Sequence, residues 1–354
     1  MLTPNNKVII YAQDSFGGES AKTGIGFIRY GLCETVAVVD EKLANKKVGD
    51  ILHLHLQNSS TIPIFASIDE AKKHRPDADT LLIGIATVGG QFPPEWISDI
   101  KVALKLKLNI VNGLHDFLCD IEEVKKLADK EGVFIWDVRN PNGKYQVANA
   151  RLLNYPIEVI LTVGTDGAIG KMTVALELTK SANKIGKRAK FVATGQTGIM
   201  ISGEGVPVDA IRGDFMAGAV EEEIIKASKE SYEIAFVEGQ GSILHPGWSG
   251  VTLALLHGSL PQKLILCHDP RREYLKNTKI KIESLNEFIK VYEDMSLPVR
   301  KAKVVGVALN TSHLGEKETR DEIKKIKEET GLVASDPVKY TGEELFSACI
   351  DYNY

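Results

Sequence analysis

VILTVGTDGAIGKMTVALEL, residues 159–178, decides the fold of this 354-residue chain. A β-branched run ends at Val163, Gly164 to Gly170 make a glycine-containing loop, and Lys171 opens an amphipathic stretch with helical spacing. Strand, loop and helix in that order make an anion cradle. Glycines let backbone N–H groups turn inward without a Cβ clash, and the helix N-terminus adds partial positive charge. Lys171 supplies a full charge for terminal phosphate oxygens. The cofactor-binding residues expected here are Gly164, Thr165, Asp166, Gly167, Ala168, Ile169, Gly170, Lys171, Met172 and Thr173. The loop departs from GxxxxGK[ST]: five residues separate its two outer glycines, and Met172 stands where a magnesium-binding hydroxyl belongs. A thioether is a poor ligand for hard Mg²⁺. Thr173, one residue on, still offers a hydroxyl from the first helical turn.

Outward from this segment the chain alternates. After it, strands are expected at 189–193, 233–237, 263–268 and 303–309, and helices at 171–183, 215–229, 250–256, 284–293 and 317–330. Before it, strands are expected at 8–12, 35–40, 62–66, 80–85, 109–112 and 133–137, with helices at 68–74, 96–106 and 121–130. Strands alternating with helices of about ten residues mean βαβ units and parallel sheets covered on both faces. Between Arg139 and Leu153 the pattern lapses into Asn-Pro and Asn-Gly turn signals, which place a boundary there. The expected fold is α/β: a Rossmann-like N-terminal domain over 1–145, then a P-loop NTPase-like doubly wound domain over 146–354. In the first domain, DSFGGESAKTGIGFIRYG follows the first strand at the place of a dinucleotide fingerprint, but its glycine spacing is not GxGxxG. Asp40 ends the second strand where a ribose-binding acid would sit, although a strand-end Asp is common.

Composition narrows the function. Net charge −4 and a pI near 6.1 give no general attraction to nucleic acid or an anionic membrane. No run reaches the length of a membrane span, and the N-terminus lacks the pattern of a signal peptide. The four cysteines, Cys33, Cys119, Cys267 and Cys349, show no CxxC and no zinc spacing. They read as reduced thiols of a cytoplasmic protein. No metal site is expected, and a cytosolic α/β enzyme of this size is expected to form a homo-oligomer.

The letters GTD and the five-residue spacing resemble the dethiobiotin synthetase branch of P-loop proteins. VEGQGSILHP (237–246) resembles that branch's VEGAGG segment, whose acidic residue helps hold magnesium and would match Glu238. Longer segments carry a broader resemblance: KTGIGFIRYG from 22, TGQTGIMISGEGVPVDAIRGDFMAGAVE from 194, and EGQGSILHPGWSGVTLALLHG from 238. With GTDGAIGKMT they are similar to the DgcN-type D-glutamate N-acetyltransferase family over nearly the whole chain. The resemblance implies acetyl transfer from acetyl-CoA to the amine of an amino acid, D-glutamate in that family.

An acyl thioester is already activated, so the protein has to position the amine, take its proton and stabilise an oxyanion. His245 lies at the carboxyl edge of the sheet, where open α/β folds bind ligands. It is the first candidate for general base, with Glu238 second, although a loop histidine can equally be held by backbone. The amides of 239–242 could face the oxyanion. Gln196, Thr197, Asp209, Arg212, Asp214 and Gln240 share that edge and are candidates for substrate binding, with Lys22 and Arg29 from the first domain. Asp214 could instead cap the helix expected at 215. Arg271 and Arg272 are further cations available to an amino dicarboxylate. Two other readings stand beside acetyl transfer. One is an ATP- and Mg²⁺-dependent ligase or kinase of the dethiobiotin synthetase type, which Met172 opposes. The other is a nucleotide-binding sensor without catalysis.

Overall fold

The computed structural model describes residues 2–52, 59–141 and 143–352. Asn142, half of the Asn-Gly turn signal at the boundary, lies outside them. In chain order the elements begin β1 (Lys7–Tyr11), α1 (Lys22–Tyr30), β2 (Glu34–Val39), α2 (Val48–Ile51), β3 (Ile64–Phe65), α3 (Ile68–His74) and β4 (Thr80–Ile83). They continue with α4 (Ile97–Lys105), β5 (Asn109–Asn112), α5 (Glu122–Glu131), β6 (Ile135–Asp137), β7 (Glu158–Gly164), α6 (Lys171–Lys184), β8 (Ala189–Val192) and α7 (Gln196–Ser202). Last come α8 (Gly213–Lys229), β9 (Ile234–Val237), α9 (Ser249–Ser259), β10 (Lys263–His268), α10 (Leu285–Ser296), β11 (Lys303–Leu309), α11 (Glu316–Thr330), β12 (Val333–Ser335) and α12 (Glu343–Asp351). Two compact units result: Met1–Asn142 with Gln196–Pro207, and Gly143–Gly195 with Val208–Tyr354.

The first unit holds a parallel sheet in the order β3-β2-β1-β4-β5-β6. This is the Rossmann order, and its chain reversal between β1 and β4 opens a crevice at the carboxyl edge. Ile9, Leu81, Ile83 and Ile110 on the strands pack with Ile100, Leu104 and Val124 of α4 and α5 in one buried core. Each such side chain contributes about 1.5–3 kcal/mol by leaving water. The segment after β1, which stands at the place of a dinucleotide fingerprint without its glycine spacing, forms α1. This helix sits close on the sheet because Gly24 and Gly84 have no side chains: a Cβ on Gly84 would stand 2.5 Å from Ile10 and 3.1 Å from the Gly24 Cα. Asp40 is buried and accepts from the amides of Ser15, Phe16 and Leu43, so it fastens the loop after β1 and is not presented to a ribose.

The second unit holds a parallel sheet in the order β12-β11-β10-β7-β9-β8. β7 lies centrally, and its successors depart to both sides, so the loop after β7 occupies a switch point. β12 and α12 were not foreseen: β12 has only three residues, too short for a periodic signal. The helix α7 was also not foreseen, and its segment packs in the first unit although the sequence expectation placed it in the second domain. All four cysteines are free thiols. Among the described residues no helix is long and apolar enough to cross a membrane.

Candidate functional site

The segment 164–173 folds as a tight cradle. Gly170 is the N-cap of α6 at φ 108° and has no side chain with which to bond the helix's first amides. Ala168 is left-handed at φ 55° without a glycine's freedom, a cost of about 1–2 kcal/mol. The Lys171 side chain is buried and curls under the loop, donating to the Asp166 carbonyl at 2.6 Å. Burial pulls its ammonium down to about 8, with Asp166 and Glu238 resisting the shift. Met172 and Thr173 are half-buried in the first turn of α6. Asp166 is fully buried and already committed: it accepts from Gly167 N at 2.7 Å, Lys276 N at 2.8 Å and Arg272 Nη1 at 2.9 Å. Thr165 meets the His268 Nδ1 at 3.0 Å. Asp166 and Thr165 therefore brace the cradle.

Glu238, directly after β9, is the acid of this unit. β9 neighbours β7, and a glycine is required next: a Cβ on Gly239 would fall 1.6 Å from the Thr162 carbonyl oxygen and 3.2 Å from Lys171 Cδ. That close approach brings Glu238 beside the lysine. Its Oε2 accepts from Thr194 N at 2.9 Å and Gly195 N at 3.0 Å. Burial pushes the carboxyl up to about 7; these two amides and Lys171 work against the rise, and Asp209 adds to it. A buried acid and a buried lysine, both displaced toward neutrality, thus share the floor of the loop. Gln240 frames them, donating to the Thr194 carbonyl at 2.6 Å.

His245 does not meet the geometry of a general base. Its Nδ1 accepts from Gly247 N at 3.1 Å, which places the proton on Nε2, and Nε2 donates to the Lys276 carbonyl at 2.9 Å. Both ring nitrogens are used by backbone. The ring stacks on Trp248 at 3.8 Å, and Trp248 in turn packs where a Cβ on Gly167 would be, at 2.5 Å. His245 is a positioning residue for the phosphate loop. A second support was invisible in the sequence: the Tyr292 hydroxyl, fully buried, donates to the Gly164 carbonyl at 2.8 Å and accepts from Ile243 N at 3.1 Å. The oxyanion reading of 239–242 loses one member, because Gly239 N is spent on Thr162 Oγ1 at 2.9 Å.

The remaining expected residues divide. Thr197 meets Thr23 at 2.9 Å between hydroxyls, and Gln196 stands beside it in the first unit. Lys22 is exposed at the head of α1, but Arg29 lies in its last turn, roughly 10 Å along the axis, where it complements the helix dipole. The two do not form one anion site. In the second unit, Asp209, Arg212 and Asp214 are exposed near the start of α8. The N-cap there is Arg212, so Asp214 is a first-turn residue and not the cap. Arg271 pairs with Asp269 and Arg272 with Asp166. No cluster of three or more metal-ligating side chains occurs among the described residues.

A Rossmann sheet and a second parallel sheet with a phosphate loop at its centre define a two-domain α/β protein of the P-loop class. The chain belongs to the DUF1611 family: the family's P-loop domain of unknown function matches residues 146–346, and its Rossmann-like N-terminal domain matches residues 42–141. It is 37% identical over 288 residues to a D-glutamate N-acetyltransferase of Tritonibacter scottomollicae, covering 80% of this chain and 84% of that one. A D-glutamate N-acetyltransferase of Pseudoalteromonas sp. is 34% identical over 280 residues, covering 77% of this chain and 81% of that one. The crystal structure of a DUF1611 family protein from Anabaena variabilis superimposes with a TM-score of 0.92 at 38% identity, over 98% of this chain and all of that one.

Proposed function

We propose that the chain is an N-acetyltransferase that moves the acetyl group of acetyl-CoA to the amine of D-glutamate. The enzyme class follows from the two curated relatives, which match most of the chain. The acceptor is taken from their names, and the donor from the phosphate loop. The observation that carries the chemistry is the buried pair under that loop. Lys171 and the uncapped start of α6 are suited to the diphosphate of coenzyme A. Glu238, with a carboxyl near 7, is suited to accept a proton at neutral pH.

In this reading the ammonium of D-glutamate loses a proton, and the free amine attacks the thioester carbonyl. The C–N bond forms as the carbon–oxygen double bond opens. Collapse of the tetrahedral intermediate expels the coenzyme A thiolate, and Glu238 carries a proton away from nitrogen. The thiolate takes up a proton, leaving an amide and free coenzyme A. Four free thiols and the absence of paired cysteines in the sequence pattern favour a reducing compartment, and we place the reaction in the cytosol, in a homo-oligomer.

The test is calorimetric titration of the purified chain with acetyl-CoA in EDTA and, separately, with ATP and Mg²⁺, followed by thiol release with D-glutamate as acceptor. Metal-independent binding of acetyl-CoA and thiol release that requires D-glutamate are expected. Binding of ATP·Mg²⁺ alone would replace this reading with the ligase one.

A further inference from the structure

The second unit holds a hollow of about 330 Å³, lined by Lys144, Tyr145, Gln146 and Arg151 ahead of β7 and by Gly218 and Glu222 of α8. Small-molecule sites begin at about 300 Å³. None of the lining residues belongs to the loop 164–173, and Glu238 is not among them. The wall is built by close approach. A Cβ on Gly218 would fall 1.8 Å from the Gln146 carbonyl oxygen and 2.9 Å from Ala148 N, so only glycine lets the segment 146–148 lie against α8. Glu222 follows Gly218 by four residues, on the same face of the helix.

Part of the lining is held in place and part is open. Arg151 Nε donates to Glu221 Oε2 at 3.2 Å, and its Nη2 donates to Glu222 Oε2 at 2.8 Å. Glu221 is 1% exposed, so this fork ties the Glu222 carboxylate to a buried anchor. The other Glu222 oxygen, Oε1, bonds to no described residue, and neither does Lys144 Nζ or the Tyr145 hydroxyl. Lys144 and Glu222 thus line one hollow without pairing with each other: opposite charges stand apart, each with hydrogen-bonding capacity to spare. The Tyr145 ring folds over Gly143, where a Cβ would stand 3.0 Å from its Cζ, and gives the hollow an aromatic wall. A lone anion would meet the charge of Glu222, and a lone cation those of Lys144 and Arg151. A small molecule carrying both charges satisfies both ends, and its ammonium also finds a ring face.

We propose that this hollow binds a free amino acid as its zwitterion, with Lys144 holding the carboxylate and Glu222 the ammonium. Arg151 fixes the Glu222 carboxylate, and Tyr145 and Gln146 face the rest of the ligand. The site shares no residue with the phosphate loop, and it does not rest on the acetyl-transfer reading. An N-acetylated amino acid has lost the ammonium and is rejected.

The experiment is calorimetric titration of the full chain, at millimolar ligand, with glycine, L-alanine and L-glutamine, probes that share the zwitterion and differ in size. The N-acetyl derivative of whichever binds tightest is titrated beside it. Lys144→Gln, Glu222→Gln, the charge-conserving Lys144→Arg and the loop variant Lys171→Ala are compared with wild type, with circular dichroism to confirm folding. At least one probe is expected to bind wild type. Lys144→Gln and Glu222→Gln should each weaken it by roughly 10- to 100-fold, the worth of a hydrogen bond to a charged group. Lys144→Arg should stay within a few-fold of wild type, Lys171→Ala should bind the probe as wild type does, and the N-acetyl derivative should bind at least roughly ten-fold more weakly. No binding of any probe to wild type would overturn the proposal. So would unchanged affinity in folded Lys144→Gln and Glu222→Gln proteins, or equal affinity for the N-acetyl derivative, which would mark a plain anion site. Loss of the amino acid in Lys171→Ala alone would move it to the phosphate loop and equally refute this site. Failure of D-glutamate acetylation would remove the functional reading and leave these outcomes untouched.

Discussion

Glu238→Gln separates catalysis from stability in opposite directions. The substitution keeps shape, and a glutamine oxygen can still accept from Thr194 N and Gly195 N as Oε2 does. What disappears is the charge. A carboxyl raised by burial from 4.5 to about 7 carries, once ionised, up to about 3 kcal/mol of unfavourable energy in the folded state. Some of that is returned because Lys171 loses a nearby counter-charge. The sign follows from linkage. Below pH 4.5 the acid is protonated in folded and unfolded chains alike and costs nothing. Between 4.5 and about 7 the unfolded chain ionises first, so wild-type stability falls as pH rises, and above 7 the whole cost is present. The glutamine variant escapes it. Its melting temperature is therefore expected to match wild type near pH 4.5 and to exceed it at pH 8, by several degrees at roughly 2–4 °C per kcal/mol. Turnover should move the other way. A general base is worth roughly 10²–10⁴ in rate, so kcat should fall by that factor with acetyl-CoA affinity little changed. Wild-type kcat/KM should climb with pH through about 7. Thermal unfolding from pH 4.5 to 8.5 and thiol-release rates measure both. A variant less stable than wild type at pH 8, or one keeping more than about a tenth of wild-type turnover, would refute the reasoning.

Three further outcomes follow from the cradle. Lys171→Ala should weaken acetyl-CoA binding by roughly 10- to 100-fold through a lost charge-assisted contact. Wild-type affinity should itself decline above about pH 8, as the depressed ammonium gives up its proton; calorimetry across pH 7 to 9.5 tests both, and a flat profile would place Lys171 outside the ligand contact. His245→Ala should lower stability by about 2–3 kcal/mol and raise KM for acetyl-CoA, through loss of the support for Trp248. The pH dependence of its residual kcat/KM should keep the wild-type shape, and loss of one limb would restore His245 as an acid–base group. Tyr292→Phe leaves the Gly164 carbonyl and Ile243 amide without their buried partner and should cost about 1–3 kcal/mol, read by denaturant unfolding. No change would mean that water replaces the hydroxyl.

What the sequence disclosed and what it withheld have a common physical origin. β7, the loop and α6 were legible because one short segment contains the whole signal: a buried strand, glycines at defined spacing, a lysine and a helical period. The strands Lys263–His268 and Lys303–Leu309 were legible for the same reason, as β-branched and apolar runs of a parallel sheet. α1 was not, because Gly24 and Gly26 dilute its helical period, and the reason for Gly24 lies 60 residues away at Gly84. Glu238 could be placed by its position after a strand, but not its displaced carboxyl, which comes from burial that only the folded chain creates, against the pull of Thr194, Gly195 and Lys171. His245 had the right chemistry and the wrong surroundings. Only the coordinates of Gly247 and Lys276 reveal that both nitrogens are taken. Tyr292 left no local signal at all: it acts on backbone contributed by distant segments.

Met172 and Glu238 bear on the metal question together. A Mg²⁺-dependent phosphate loop needs an oxygen ligand in the first helical turn and an ionised acid on the neighbouring strand. Here the first-turn position carries a thioether. The acid is buried, has one oxygen taken by two amides, and holds its proton to about pH 7. Either change alone could be offset by a shifted ligand such as Thr173. Both together remove hard oxygen charge from the place where the cation would sit, while Lys171 and the uncapped α6 amides remain for a diphosphate. On the proposed reading the loop has the parts that hold a diphosphate and lacks two that a metal-dependent cleavage would use. An acid freed from a metal can then be used as a base, which is the role that an acetyl transfer to an amine requires.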